Sequence, residues 1–337
     1  MSKIPVLILV AACAIIVASC GDGKNEKASA DNPAYAHPAI AGVSAEIDKD
    51  PNNARLYFKR GLLLDDLQED SLALNDYNKA ISLDSTKAEY YSAVGQLLFD
   101  HKDITGSIKW LEKALRLNPS DPAAHLKMAK MFVYTKDYTT AFKEINTALR
   151  QDVYNPEGYF LKGIIYKDLK DTAKAISSFE TAASVAGGYR DADIQLGLLY
   201  SAKKDPLALK YFDKAYKADT TDVFPLYAKG VYYQDSKDYE AAKAAYRNVI
   251  LHERDYTNAY LNMGYVYMQQ DSLDKAYRQY DLLTQLDPSN EEAYYNRGLV
   301  NELMGKKAEA IADYKQALVF SPDYAEPQEA LKRLGSK

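Results

Sequence analysis

Residues 257–290 read TNAYLNMGYVYMQQDSLDKAYRQYDLLTQLDPSN, and residues 291–324 read EEAYYNRGLVNELMGKKAEAIADYKQALVFSPDY. Laid one above the other, the two segments align without a gap. Tyr260 falls over Tyr294, Gly264 over Gly298, Ala276 over Ala310, Tyr280 over Tyr314 and Pro288 over Pro322. Tyr260, Gly264 and Tyr267 lie at i, i+4 and i+7, as do Ala276, Tyr280 and Leu283. That spacing lines one face of a helix, so each segment holds two amphipathic helices of about 12 to 14 residues.

The same lattice extends back through most of the chain. Gly61, Gly95, Gly163, Gly197, Gly230, Gly264 and Gly298 recur every 34 residues, with one step of 33 after Gly197 and Ala129 filling the missing point. Twelve residues after the lattice glycine stands a small residue (Ala73, Ser107, Ala141, Ala175, Ala242, Ala276, Ala310), with Ala208 one residue early in the short repeat. Four further on stands a large apolar one: Tyr77, Leu111, Ile145, Phe179, Phe212, Tyr246, Tyr280, Tyr314. Glycine inside a helix costs about 1 kcal/mol relative to alanine. Its return is close approach of the paired helix, which is expected to present its own Ala at the contact, with large side chains above and below. Asp103, Asp137, Asp171, Asp205 and Asp238 stand where second helices begin, as N-caps. Pro119, Pro288 and Pro322 follow second helices and stop them.

This pattern is similar to the tetratricopeptide repeat. Counted with Gly as the eighth residue, the repeats run 54–87, 88–121, 122–155, 156–189, 190–222, 223–256, 257–290 and 291–324. The resemblance implies an all-α fold, a right-handed α-solenoid of eight helical hairpins. Residues 39–53 read as an N-terminal capping half-repeat and residues 325–337 as a C-terminal capping helix, with Leu331 and Leu334 inward. The lattice has departures. His125 and Asp193 replace the first aromatic, Asn301 replaces the third, and Gly187 and Gly188 precede the short fifth repeat. A looser junction is expected at residues 186–194.

The start of the chain carries a different signal. Lys3 is followed by an apolar run from Ile4 to Val17, then Ala18, Ser19 and Cys20. The run is too short for a membrane span, which needs about 20 residues, and has the length of a signal-peptide core. Val17-Ala18-Ser19-Cys20 resembles a bacterial lipoprotein lipobox. It implies a signal peptide at 1–19, lipidation of Cys20 and a flexible linker from there to residue 38. Gly21, rather than Asp, after the cysteine favours the outer membrane of a Gram-negative envelope.

Composition narrows the chemistry. The net charge of −5 on mixed signs leaves no basic stripe for nucleic acid. Both cysteines, Cys13 and Cys20, lie in the first twenty residues, so the repeats hold no disulfide and no Cys-based metal site. The histidines are scattered, His125 falls on a packing position, and no nucleophile elbow or phosphate loop is present. Asp65 and Asp66, adjacent on one helix, read as a solvated face. Trp110 reads as packing or surface stacking. No catalytic residue, metal or cofactor is expected.

In the resembled family the first helix of each repeat lines a concave surface that binds peptides. Carried onto this chain, the resemblance implies a groove with Phe58, Phe99, Tyr134, Phe160, Tyr227, Tyr265 and Tyr295. The chaperone-tail clamp of that family, Lys at repeat position 5 with Asn at position 9, is found in none of the repeats. The reading is a membrane-anchored scaffold whose partners are envelope proteins or peptide segments. Tyrosine-rich grooves also stack on sugar rings, so a glycan- or muropeptide-binding module is the alternative. Every repeat is 33 or 34 residues, which leaves no inserted loop to build a sugar site.

Overall fold

The computed structural model of the protein describes residues 33–185 and 189–336. Among them are eighteen α-helices, a 3-10 turn at Pro33–Ala36 and no strand. Helix α1 (Pro38–Lys49) precedes α2 (Ala54–Asp66), α3 (Asp70–Leu83), α4 (Ala88–Asp100), α5 (Ile104–Leu117) and α6 (Pro122–Tyr134). There follow α7 (Tyr138–Gln151), α8 (Pro156–Asp168), α9 (Thr172–Ser184), α10 (Arg190–Ala202), α11 (Leu207–Ala218) and α12 (Phe224–Asp235). The last are α13 (Tyr239–His252), α14 (Thr257–Gln269), α15 (Leu273–Leu286), α16 (Glu291–Leu303), α17 (Lys307–Phe320) and α18 (Ala325–Arg333). The leader, Cys20 and residues 186–188 of the junction expected to be loose lie outside the described residues.

The chain forms two compact units, one up to Lys127 and one from Met128 on, with the division inside α6. In the first, each helix from α1 to α5 packs on the next in sequence. Its core holds Ile40, Leu64, Tyr77, Val94 and Leu97. In the second, the same neighbour-on-neighbour packing runs from α7 to α18. Within each unit this is the arrangement of an α-solenoid, where a helix buries its apolar face only by meeting its sequence neighbours. The ends follow suit: α1 buries Ile40, Val43 and Ile47, and α18 buries Pro327, Ala330 and Leu331.

The lattice glycines work differently from the sequence expectation. A Cβ placed on Gly61, Gly163, Gly197, Gly230, Gly264 or Gly298 would lie under 3.0 Å from the ring sixteen residues on (fifteen in the short repeat), and on Gly95 from Leu111. The second-helix ring therefore lies flat on the first-helix backbone, and the space belongs to it. The small residue expected at the contact, Ala73 in the first hairpin, is fully buried beside the ring and offers only its carbonyl oxygen at 3.4 Å from the Gly61 position. The physical reason is volume: a phenol or phenyl ring set into a glycine notch buries far more apolar surface than a methyl group.

Each hairpin turn is closed by a device that sequence reading missed. The seventh residue after the lattice point has positive φ: Gln68, Lys102, Lys136, Lys170, Lys204, Lys237 and Asp271, with glycine only at Gly305. In seven of the eight turns the following N–H reaches back to a carbonyl five residues earlier, as in Asp171 N to Tyr166 O at 2.9 Å and Lys306 N to Asn301 O at 2.8 Å. This is the Schellman closure of a helix C-terminus. The next helix then starts on its cap, with Asp103, Asp137, Asp171 and Asp238 accepting from Gly106, Thr140, Lys174 and Ala241 N–H. Hydrogen bonds from the side chains of Thr140 and Lys174, and then from their backbone N–H groups, hold Asp137 and Asp171 below the usual carboxylate range.

The end of the stretch read as a linker is folded. Pro33–Ala36 forms the 3-10 turn, and Ala34 and Tyr35 pack against the core of the first hairpin. The Arg60 guanidinium lies 5.1 Å from the centre of the Tyr35 ring, which ties this segment down.

Candidate interaction groove

First helices are set by the residue four before the lattice point. The hydroxyls of Tyr57, Tyr91, Tyr159, Tyr260 and Tyr294 each donate to a carbonyl six residues earlier, at 2.8 to 3.3 Å. His125 Nε2 makes the same link to the Pro119 carbonyl at 3.1 Å, and Gln328 Nε2 in α18 to that of Pro322 at 2.7 Å. The departure at His125 thus keeps the function of the tyrosine it replaces. These side chains tie the first helices that carry them to the preceding turn.

Position five of the repeat carries a second set of rings. Phe58 packs between Tyr77 and Tyr90, with centroids 5.8 and 4.7 Å away. Phe160 packs between Phe179 and Tyr189, Tyr227 between Tyr246 and Tyr256, and Tyr295 between Tyr314 and Tyr324. These four groove residues are half-buried members of ring triads that join one hairpin to the start of the next. Phe99 is half-buried as well. Tyr134 and Tyr265 differ, being 61% and 44% exposed. Their exposure is shared by Leu62, Leu198 and Leu303, which also sit at repeat positions nine and thirteen. Trp110 lies outside this set, tilted against Tyr91 with ring centroids 5.8 Å apart and Lys113 Nζ 4.1 Å from its ring.

In the first unit a cavity of about 280 Å³ opens on the faces of α2 and α4 and the start of α6. Phe58, Leu62 and Tyr77 form its apolar wall, and Asp65, Glu89, Ser92, Gln96 and Asp121 its polar one. Asp65 is not on a solvated face, because the Tyr77 hydroxyl donates to its Oδ2 at 3.0 Å and draws it inward. Asp66, its neighbour, is exposed. Burial pushes the Asp65 carboxyl up, the Tyr77 bond opposes this, and the charges of Asp100, Asp70 and Asp66 add to the rise. The bond recurs: Tyr246 donates to Gln234 and Tyr314 to Glu302, always from the glycine-facing ring to the residue four after the glycine. A polar residue at that position, paired with a Tyr twelve residues later, was the available sequence signal.

In the second unit Asp193 occupies a lattice position that holds Tyr in five of the other seven repeats. It is buried, and its Oδ1 has no hydrogen-bond partner among the described residues. Lys214 Nζ stands 3.9 Å away. Burial raises its pKa, with Lys214 opposing. Asn301, the other polar substitution, is fully provided for: its Nδ2 donates to Asp313 Oδ2 at 2.9 Å, inside a cluster with Arg297.

Among the described residues, no group of three or more His, Cys, Asp or Glu side chains is placed to hold a metal ion. No described helix is long and apolar enough to cross a membrane. What the first-helix surfaces offer is apolar contact at exposed positions and hydrogen-bonding groups between them.

Comparison with known families gives matches to models described as "TPR repeat" at residues 95–133 and 264–305. Models described as "Tetratricopeptide repeat" match residues 54–87, 156–188, 225–251 and 291–324. The photosystem I assembly protein Ycf3 of Acaryochloris marina is 27% identical over 34% of this chain and 80% of its own length. Among solved structures, the C-terminal part of a TPR repeat-containing protein of Cytophaga hutchinsonii superimposes with a TM-score of 0.58 at 20% identity, covering 70% of this chain and 98% of that one. PilW, a type IV pilus biogenesis factor, superimposes with a TM-score of 0.51 at 21% identity, covering 62% of this chain and 98% of its own. At these identities the structural likeness is one of fold.

Proposed function

We propose that this chain, which belongs to the tetratricopeptide-repeat family, is a non-catalytic scaffold that holds polypeptide segments of other envelope proteins against its first-helix surfaces. The observation that carries this reading is the exposure of Leu62, Tyr134, Leu198, Tyr265 and Leu303 at repeat positions nine and thirteen. Large apolar side chains left in water on one kind of helix face favour a partner that covers them. Tyrosine adds a hydroxyl that keeps such a face soluble when it is empty. The relative named for photosystem I assembly fits a role in bringing proteins together.

Anchoring forms the second half of the proposal. The apolar run ending in Val17-Ala18-Ser19-Cys20 supports lipidation of Cys20 and attachment to the outer membrane. Several acyl chains, at about 0.8 kcal/mol per buried methylene, hold a protein durably.

Crosslinking in intact cells, followed by capture of the full chain, tests the groove. Partners are expected to be lost when Leu62, Tyr134 and Tyr265 are together replaced by Ser. An unchanged partner set in a folded variant defeats the reading. These positions are better probes than Phe58, Phe160, Tyr227 or Tyr295, whose loss also breaks the ring triads. For the anchor, Cys20→Ser should abolish incorporation of labelled fatty acid and release the protein from the membrane fraction. Retention of label in that variant excludes Cys20.

A further inference from the structure

We infer that the cavity of the first unit is a subsite for an arginine side chain of an extended partner segment. The inference rests on the scaffold reading above and supplies the chemistry of one anchor.

Charge complementarity selects the occupant. Asp65, Glu89 and Asp121 stand on the wall, and none makes an ion pair among the described residues. Lys127, the cation on the same wall, has an interaction of its own. Asp65 is held by Tyr77 through Oδ2, so Oδ1 is left for a ligand. Gln96 donates its amide N–H to Asp100 and keeps its carbonyl oxygen. Ser92 is only 7% exposed, lines the cavity and has no hydrogen-bond partner for its hydroxyl among the described residues.

All of these groups accept hydrogen bonds. A guanidinium carries five N–H donors in a fixed fan, while an ammonium presents three on a point charge. The apolar wall of Phe58 and Leu62 suits the methylene stem that leads to the charge. Small-molecule sites usually span about 300–1,000 Å³. At about 280 Å³, this cavity suits one long side chain of a larger partner.

The test uses the full chain and a short synthetic peptide with a single central arginine between alanines, followed by titration in backbone amide spectra. Shifts are expected at Ser92, Gln96 and Ala93, fading as salt rises. Replacing the arginine by citrulline, which keeps the shape and removes the charge, should weaken binding at least 10-fold, and lysine should bind less tightly than arginine. Asp65→Asn, which can still accept the Tyr77 bond, should weaken the arginine peptide at least 10-fold with an unchanged circular dichroism spectrum. Equal binding of arginine and citrulline peptides, indifference to Asp65→Asn, or displacement of the peptide by calcium ions bound at the same amides overturns the inference. If the arginine peptide leaves these amides unshifted while cellular partners are still lost from the Leu62, Tyr134 and Tyr265 variant, this subsite fails and the scaffold reading stands. If those partners persist, the scaffold reading itself fails.

Discussion

Lys170 adopts φ 61°, as six other non-glycine residues do at or near that value in equivalent turns. Left-handed backbone costs an L-residue roughly 1–2 kcal/mol that glycine does not bear. The turn persists because the 2.9 Å bond from Asp171 N to Tyr166 O needs that conformation. Lys170→Gly is therefore expected to stabilise the fold by something under about 1 kcal/mol once glycine's extra unfolded-state entropy is deducted, read as a higher melting temperature. Asp193 is a strained residue of another kind. Its pKa is raised above the ordinary 3.8 by burial, so folding prefers the protonated form. The stability this gives is present below the ordinary value and is lost as pH rises through the folded pKa. Asp193→Asn should melt higher than the natural chain at neutral pH, with the gap closing as the pH is lowered toward 4. A gap constant with pH would show that the carboxyl charge has no part in it. The turn at Lys170 could not be picked out from sequence, because lysine has no left-handed preference; the lattice marked Asp193 as a departure, but its burial depends on neighbours from other helices.

Helices and their caps were far more legible. The i, i+4, i+7 spacing placed the paired helices, and Asp103, Asp137, Asp171 and Asp238 cap where their position says they should. What periodicity could not show is which polar groups join one helix to the next. Arg297 binds Asp313 of α17 at 2.6 Å and Asp281 of α15 at 2.8 Å, so one guanidinium fastens three helices. In the first unit Arg60 takes the same lattice position, binding Asp76 at 2.7 Å and Ser44 at 3.1 Å. Asp313 is almost fully buried, and removing one member of a buried pair leaves the other charge uncompensated. Asp313→Ala is expected to cost roughly 3 kcal/mol, measured by denaturant unfolding, with Asn301 losing its partner as well. A loss under about 1 kcal/mol would show the pair to be solvent-screened like a surface salt bridge.

At the scale of the whole chain, helices touch their sequence neighbours within each unit, so stability is close to a sum of local terms. Damage should stay local. Gly264→Leu would drive a side chain into the Tyr280 ring, for which even a Cβ has no room. Overpacking of that kind costs about 1–3 kcal/mol or more. Hydrogen exchange is expected to speed up in α14 and α15 and their neighbours while α2 to α5 keep their protection. Uniform acceleration along the chain would contradict a neighbour-by-neighbour architecture.

The sequence alone determined the number, order and pairing of the helices, because a recurring glycine and its partner ring leave a periodic mark that needs no knowledge of the fold. The family resemblance also placed the expected groove on the first helices. Only the tertiary structure decided which of the candidate groove aromatics are exposed. Phe58, Phe160, Tyr227 and Tyr295 are clasped by rings, three of which (Tyr189, Tyr256 and Tyr324) come from turns beyond the second helix, whereas Tyr134 and Tyr265 face solvent. Exposure is a property of packing between hairpins, and residues distant in the chain that meet on one surface leave no fixed interval in the sequence to be read.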